Sequence, residues 1–161
     1  MTGKTAAGKL AVGKAVPAFS LPSTSGEPWS SADAAGSKLV VYFYPKDMTS
    51  GCTLESQQFR DLHPAFRRAG VAIVGISRDG IASHKKFRQK ERLPFDLLSD
   101  EDEEVCKLFD VIREKSLYGR KYMGIERSTF LIDGKGVLRQ EWRKVKVQGH
   151  AEEVLEAAKS L

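Results

Sequence analysis

Cysteine is scarce in this chain of 161 residues, with only Cys52 and Cys106 present. Two distant thiols make no disulfide framework and none of the paired spacings of a structural zinc site, and they suit a reducing, cytoplasmic setting. Long apolar runs are missing too. The longest, residues 39–44, falls far short of the roughly 20 residues that a membrane helix requires, so no membrane partner is expected. The N-terminal stretch, broken by Lys4, Lys9 and Lys14, lacks the continuous apolar segment of a signal peptide. There is no internal repeat, no phosphate-binding glycine loop and no dinucleotide fingerprint, so neither a metal nor an organic cofactor is expected. The formal net charge of +5 comes from scattered lysines and arginines, the longest basic stretch being residues 143–146, which argues against nucleic acid as a partner. His63, His84 and His150 are dispersed, form no ligand pair at helical spacing, and read as surface residues.

With 41% hydrophobic and 29% charged residues, the chain has the length and composition of one globular domain. Residues 1–14, rich in Gly, Ala, Lys and Thr, read as a flexible extension, and residues 15–161 as a single domain. "PAFSLPSTSGEPWS" suggests a small N-terminal hairpin, and "KLVVYFY" a strand buried on both faces. After the polar loop "KDMTSG", apolar residues from Thr53 onward recur at helical spacing until Gly70. "VAIVGIS" is a second strand, followed by a basic helix over residues 81–91. Ser99 reads as the N-cap of an acidic helix start, with Asp100, Glu101 and Asp102 in its first turn. "STFLID", the turn "GKG" and "VLRQEWRKV" read as a strand hairpin, and "HAEEVLEAAKSL" as a last helix. Such alternation predicts an α/β fold with a mixed central β-sheet flanked by helices.

Cys52 lies where the first strong strand hands over to a helix. A thiol reacts as its thiolate, and an ordinary cysteine with a pKa of about 8.5 is mostly protonated at neutral pH. In the first turn of a helix, unpaired N–H groups and the positive dipole end favour the anion. Thr49 offers a hydroxyl to the sulfur or to a bound substrate, and Pro45 fixes the exit from the strand and shapes a concave wall. Glu55, one turn on, opposes a thiolate by like-charge repulsion, so a cation is required to offset it.

The run Pro45, Lys46, Asp47, Met48, Thr49, Ser50, Gly51, Cys52 resembles the P-x-x-x-[TS]-x-x-C signature of the peroxiredoxins. "VVYFYPKDMTSGCTLE", "LLSDEDEEVCKLFDV" and "YGRKYMGIERSTFLID" are similar to segments of their bacterioferritin-comigratory, or peroxiredoxin Q, branch. The resemblance covers roughly residues 10–160. It implies a thioredoxin-like fold and a thiol-dependent peroxidase for hydrogen peroxide and small organic hydroperoxides. In it Cys52 is the peroxidatic cysteine, Thr49 orients the peroxide, Pro45 shields the pocket and Arg127 supplies the cation. Arg127 immediately precedes an apolar strand, a strand-end position from which a guanidinium can reach a neighbouring site. Glu55 fits as the residue that holds it.

One expectation of the branch is not met. The resolving cysteine that commonly follows the peroxidatic one by five residues is replaced by Gln57, and residues 82–91 hold none. Cys106 is the sole internal candidate. It sits at the margin of an apolar face made by Val105, Leu108, Phe109 and Ile112, partly accessible, and reads either as structural or as a resolving thiol. The leading expectation is a one-cysteine cycle, with thioredoxin, glutaredoxin or glutathione regenerating a Cys52 sulfenic acid in a monomer or weak dimer. A thioredoxin-type disulfide oxidoreductase is the rival among enzymes, but it needs C-x-x-C, and Thr49 occupies the first of those places. A non-catalytic basic binding module is the rival outside them.

Overall fold

The structure, a computed structural model, describes residues 10–161. Most of the N-terminal extension expected over residues 1–14 lies outside the described residues. Within its last five, the Gly13 N–H donates to the Leu138 carbonyl at 2.8 Å and the Leu138 N–H to the Lys14 carbonyl at 3.0 Å, while Leu10 packs on the core.

The chain then forms a short antiparallel pair, β1 (Ser20–Leu21) and β2 (Trp29–Ser30), followed by β3 (Lys38–Phe43), α1 (Ser50–Arg68), β4 (Val71–Ser77), α2 (Ile81–Glu91) and β5 (Leu97–Ser99). There follow α3 (Glu104–Leu108), β6 (Ile112–Leu117), β7 (Arg120–Ile125), β8 (Ser128–Ile132), β9 (Leu138–Arg143) and α4 (His150–Lys159). The central sheet has the order β5-β4-β3-β8-β9, with β3, β4 and β5 parallel and β8 and β9 antiparallel to their neighbours. This is a thioredoxin-like α/β sandwich with a mixed sheet.

β3 lies at the centre and is apolar on both faces because each face is covered. Val40, Tyr42 and Tyr44 point to one side, where they meet Phe59 and Phe66 of α1, Phe87 of α2 and Val154 of α4. Leu39, Val41 and Phe43 point to the other, against Phe109, Phe130 and Ile132. The Tyr42 ring stacks on Phe59 at 4.8 Å between ring centroids and on Tyr44 at 5.5 Å. The register of β3 with β8 pairs Phe43 with Ser128. An antiparallel pair with that register puts the exit of β3, and so the loop leading to α1, beside the residue that enters β8, Arg127.

Several sequence expectations give way to the packing. Ser99 does not cap a helix: it pairs with Ser77 inside the sheet, and its hydroxyl donates to the Asp79 carbonyl. Asp100 takes the capping role, accepting the N–H groups of Val105 and Cys106 at 3.3 and 2.6 Å, and α3 is only five residues long. Ile112 belongs to β6, so the expected four-residue helical face does not exist, and Cys106 is wholly buried rather than partly accessible. Two of the three histidines expected at the surface, His84 and His150, are also buried, because each finds polar partners inside; His63 is half-buried beside Phe95. The β6–β7 ribbon carries no strand signal in the sequence, since its outer half has no apolar face turned to the core.

Candidate active site

Thr49 is the N-cap of α1, and the helical ladder opens with the Thr53 N–H donating to the Thr49 carbonyl at 2.9 Å. The N–H groups of Gly51 and Cys52 precede that first rung, so Cys52 stands in the helix's opening turn among donors that the ladder leaves free. The Thr49 hydroxyl does not cap the helix; it donates to the Lys46 carbonyl at 2.9 Å, leaving its lone pairs to accept from a ligand. Pro45 is half-buried in the bend directly after β3.

Cys52 is 1% exposed, packed with the face of the core that holds Tyr42 and Tyr44. It is not sealed in hydrocarbon alone, because Arg127 Nη2 donates to its Sγ at 3.5 Å. Arg127 Nη1 donates to Glu55 Oε1 at 2.7 Å, so one guanidinium ties two residues of the same helix face. Burial opposes the Arg127 charge, but Glu55 and Cys52 outweigh it and raise its pKa, so it stays a cation. Glu55 behaves otherwise. It is buried, its Oε2 has no hydrogen-bond partner, and burial pushes its carboxyl up to about 7 although Arg127 pulls the other way. A single bond to one oxygen does not offset the loss of water around both.

Gly51 makes room for this arrangement. A Cβ there would lie 3.1 Å from Arg127 Nη2, in the space the guanidinium needs to reach the sulfur. Lys115 of β6 is a second cation at the site's edge that sequence reasoning missed. Its ammonium donates to the Ile125 carbonyl, and burial followed by the nearby Arg127 charge lowers its pKa while Cys52 raises it. Nothing in its local pattern could have marked it, since only the fold of the ribbon brings it near.

The loop before α1 is clamped from the far side. The Asp47 carboxylate accepts from the Tyr44 hydroxyl at 2.6 Å and the Ser83 hydroxyl at 2.8 Å, and its Oδ2 lies 2.7 Å from His84 Nδ1. His84 Nε2 donates to the Leu98 carbonyl at 2.9 Å. The Asp47 N–H donates to Asp79 Oδ2, which also accepts from Ser77. Asp47, Asp79 and His84 thus bring three ligand-type atoms within 4.8 Å of one another. Each of those atoms already has a hydrogen-bond partner, which makes the group a clamp on the loop rather than a cation site. It also holds Met48 in a left-handed conformation, φ 64°, one residue before the helix cap.

Cys52, Glu55 and Arg127 are therefore brought into contact, with Thr49 and Pro45 in the adjoining loop. Cys106 is not among them. Its core neighbours are Phe43, Val105 and Phe109, on the opposite face of the sheet from Cys52. Burial and a hydrogen bond to Asp100 push its thiol far above the usual cysteine range.

The family model of the AhpC/TSA family matches residues 12–141. Peroxiredoxin Bcp of Xanthomonas campestris pv. campestris is 54% identical over 126 residues, 78% of this chain and 79% of the relative, and Peroxiredoxin Bcp of Bacillus subtilis is 45% identical over 152 residues, 94% and 97%. Among solved structures, peroxiredoxin Q of Xanthomonas campestris superposes with a TM-score of 0.84 at 49% identity, covering 88% of this chain and 90% of that one. A cysteine-to-serine mutant of Xylella fastidiosa PrxQ superposes with a TM-score of 0.89 at 40% identity, covering 94% and 96%. Among the described residues no helix is long and apolar enough to cross a membrane. A cysteine in the first turn of a helix, a guanidinium on its sulfur and these relatives agree: the chain belongs to the AhpC/TSA family and, within it, to the Bcp/PrxQ peroxiredoxins, thiol-dependent peroxidases.

Proposed function

We propose that Cys52 is the peroxidatic cysteine and that hydrogen peroxide and small organic hydroperoxides are its substrates. The observation that carries this reading is the 3.5 Å contact between Arg127 Nη2 and Cys52 Sγ at the start of α1. The thiolate attacks one peroxide oxygen in line, the O–O bond breaks, and the departing oxygen takes a proton to leave as water or an alcohol. Atoms balance as thiolate plus ROOH plus a proton going to Cys52 sulfenic acid plus ROH. The guanidinium still has N–H groups beyond the two it commits to Cys52 and Glu55, and these stabilise charge on the departing oxygen. Thr49 accepts from the peroxide O–H, and Pro45 closes the wall of the pocket. A solved relative with 48% identity, the bacterioferritin comigratory protein of Xanthomonas campestris, is described for its alkyl peroxide reduction activity, in keeping with organic hydroperoxides as substrates here.

The cycle uses one cysteine of this chain. Cys106 lies across the sheet from Cys52 and its thiol is bonded to Asp100, so an internal disulfide would require α1 or α3 to leave the core. Reduction then falls to an external thiol such as thioredoxin, glutaredoxin or glutathione, consistent with a cytoplasmic setting. Purified protein is expected to consume peroxide with dithiothreitol, Cys52→Ser to abolish consumption and Cys106→Ser to preserve it. Mass spectrometry under non-reducing conditions after one equivalent of peroxide is expected to show a gain of one oxygen on Cys52. A link between Cys52 and Cys106 would establish the two-cysteine cycle instead.

A further inference from the structure

The central sheet is incomplete beside β4. β5 pairs with β4 only at Gly75, Ile76 and Ser77, so residues 71–74 have β3 on one side and no strand on the other. The bonds on either side fix which backbone groups face the gap. The Gly75 N–H donates to the Asp96 carbonyl and the Asp100 N–H to the Ser77 carbonyl on the β5 side, whereas the Gly70 and Ile76 carbonyls accept from Lys38 and Tyr44 on the β3 side. Alternation along the strand therefore aims the N–H and C=O of Val71 and Ile73 to the β5 side, where no backbone group of the described residues meets them. They are unpaired although both residues are only 3% exposed.

The gap is a slot. A groove of about 490 Å³ follows this edge from Ser37 and Gly70 to Pro94, Phe95 and Asp96. Trp29 walls it on one face of the sheet, and His63 and Arg67 of α1 wall it on the other. The Trp29 indole N–H and the exposed Arg67 guanidinium have no acceptor among the described residues. Asp96, by contrast, is already engaged: it accepts from the Thr24 hydroxyl at 3.0 Å and lies 3.9 Å from Arg88. The spare charge of the slot is positive.

We infer that this slot docks an extended segment of another protein, added to the sheet as a strand beside residues 71–74, with apolar side chains toward Trp29 alternating with acidic ones toward Arg67. Donors and acceptors that recur at every second residue match an extended backbone. A helix spends its own N–H and C=O groups on its ladder, and a small acid cannot span both Val71 and Ile73. The first nine residues of this chain do not match: they carry Lys4 and Lys9 and no carboxylate, and the chain that follows them is bound at Gly13 to β9, the far edge of the sheet. A second copy joined through the same edge would set Arg67 against Arg67. Lys38 pairs with Val71, so the slot lies at the end of β3 opposite the exit that leads to Cys52, and an occupant leaves the peroxide site open.

The probe is the peptide acetyl-Val-Asp-Val-Asp-Val-amide, added to the full chain while amide hydrogen exchange is followed by nuclear magnetic resonance. Its controls are a counterpart with lysines for its aspartates and a fully N-methylated version. Saturating peptide is expected to slow exchange at the Val71 and Ile73 amides about tenfold or more, and neither control is expected to do so. Arg67→Glu, with melting temperature and peroxide turnover unchanged, is expected to weaken peptide binding about fivefold or more. Unchanged exchange at Val71 and Ile73 with millimolar peptide overturns the assignment. So does equal binding of either control, or undiminished binding to Arg67→Glu. Amides that are already slow at both positions in the free monomer would mean that this chain covers its own edge, and amides protected only in a dimer seen by sedimentation equilibrium would give the edge to a second copy; either result overturns the proposal.

Discussion

At the scale of single residues, the site depends on a guanidinium shared between a sulfur and a carboxylate. Arg127→Ala removes the cation bonded to Cys52, and the rate of Cys52 oxidation in stopped-flow is expected to fall about a hundredfold or more. Gly51→Ala is a finer probe. The added Cβ meets the tip of a flexible side chain rather than backbone, so the melting temperature is expected to hold while the oxidation rate drops several-fold as the guanidinium is pushed from the sulfur. Glu55 predicts a pH dependence. With its carboxyl pushed up to about 7, it is neutral below that pH and anionic above it, and only the anion holds Arg127 by an ion pair. Glu55→Gln should therefore cost about tenfold in oxidation rate at pH 8 and little at pH 6, where the amide resembles the protonated acid. A penalty that does not change between pH 6 and pH 8 would show that Glu55 does not titrate in this range.

At the scale of elements, α1 is placed by what holds the loop before it. Asp47 gathers Tyr44 from the strand exit and Ser83 and His84 from α2, which pins residues 45–49 to a second helix. His84→Ala leaves the Asp47 carboxylate buried with one partner fewer and opens a hole beside Tyr44 and Phe87. Chemical denaturation is expected to show a loss of about 1 to 3 kcal/mol, more than a surface histidine could account for. This is where sequence reasoning fell short. The strand, the loop and the helix at residues 38–68 were legible because apolar period and turn residues report local structure, and Cys52, Thr49 and Arg127 were legible from motif and position. The clamp was not, because Asp47 and His84 are 37 positions apart and each looks ordinary in its own segment. The same blindness misplaced the cap of α3: Ser99 is a good N-cap residue by type, but a sheet partner claimed it first, and the carboxylate of Asp100 reached the helix instead.

For the whole molecule, the central sheet acts as a divider. It sets Cys52 among one set of core side chains and Cys106 among the other, so Cys106→Ser is expected to leave turnover with dithiothreitol unchanged. It also buries His150, whose Nε2 lies 2.8 Å from the Thr129 hydroxyl between Phe59 and Trp142. Burial lowers its pKa from 6.5 to about 4. The unfolded chain therefore takes up a proton that the folded one refuses, and this contribution to stability, complete above pH 6.5, is lost as pH falls toward 4. Thermal melts of His150→Gln should show a weaker decline across that window than wild type.

Sequence alone marked Cys52, Thr49 and Arg127 as candidates and located most of the strands and helices, because helix starts, apolar periods and a cysteine three residues after a threonine are properties of neighbours along the chain. Only the tertiary structure decided that the exit of β3 lies opposite the entry of β8, bringing Arg127 to a sulfur 75 positions away, and that Cys106 faces the other side. Strand order and register arise from burying both faces of one sheet at once, and no local window contains that balance.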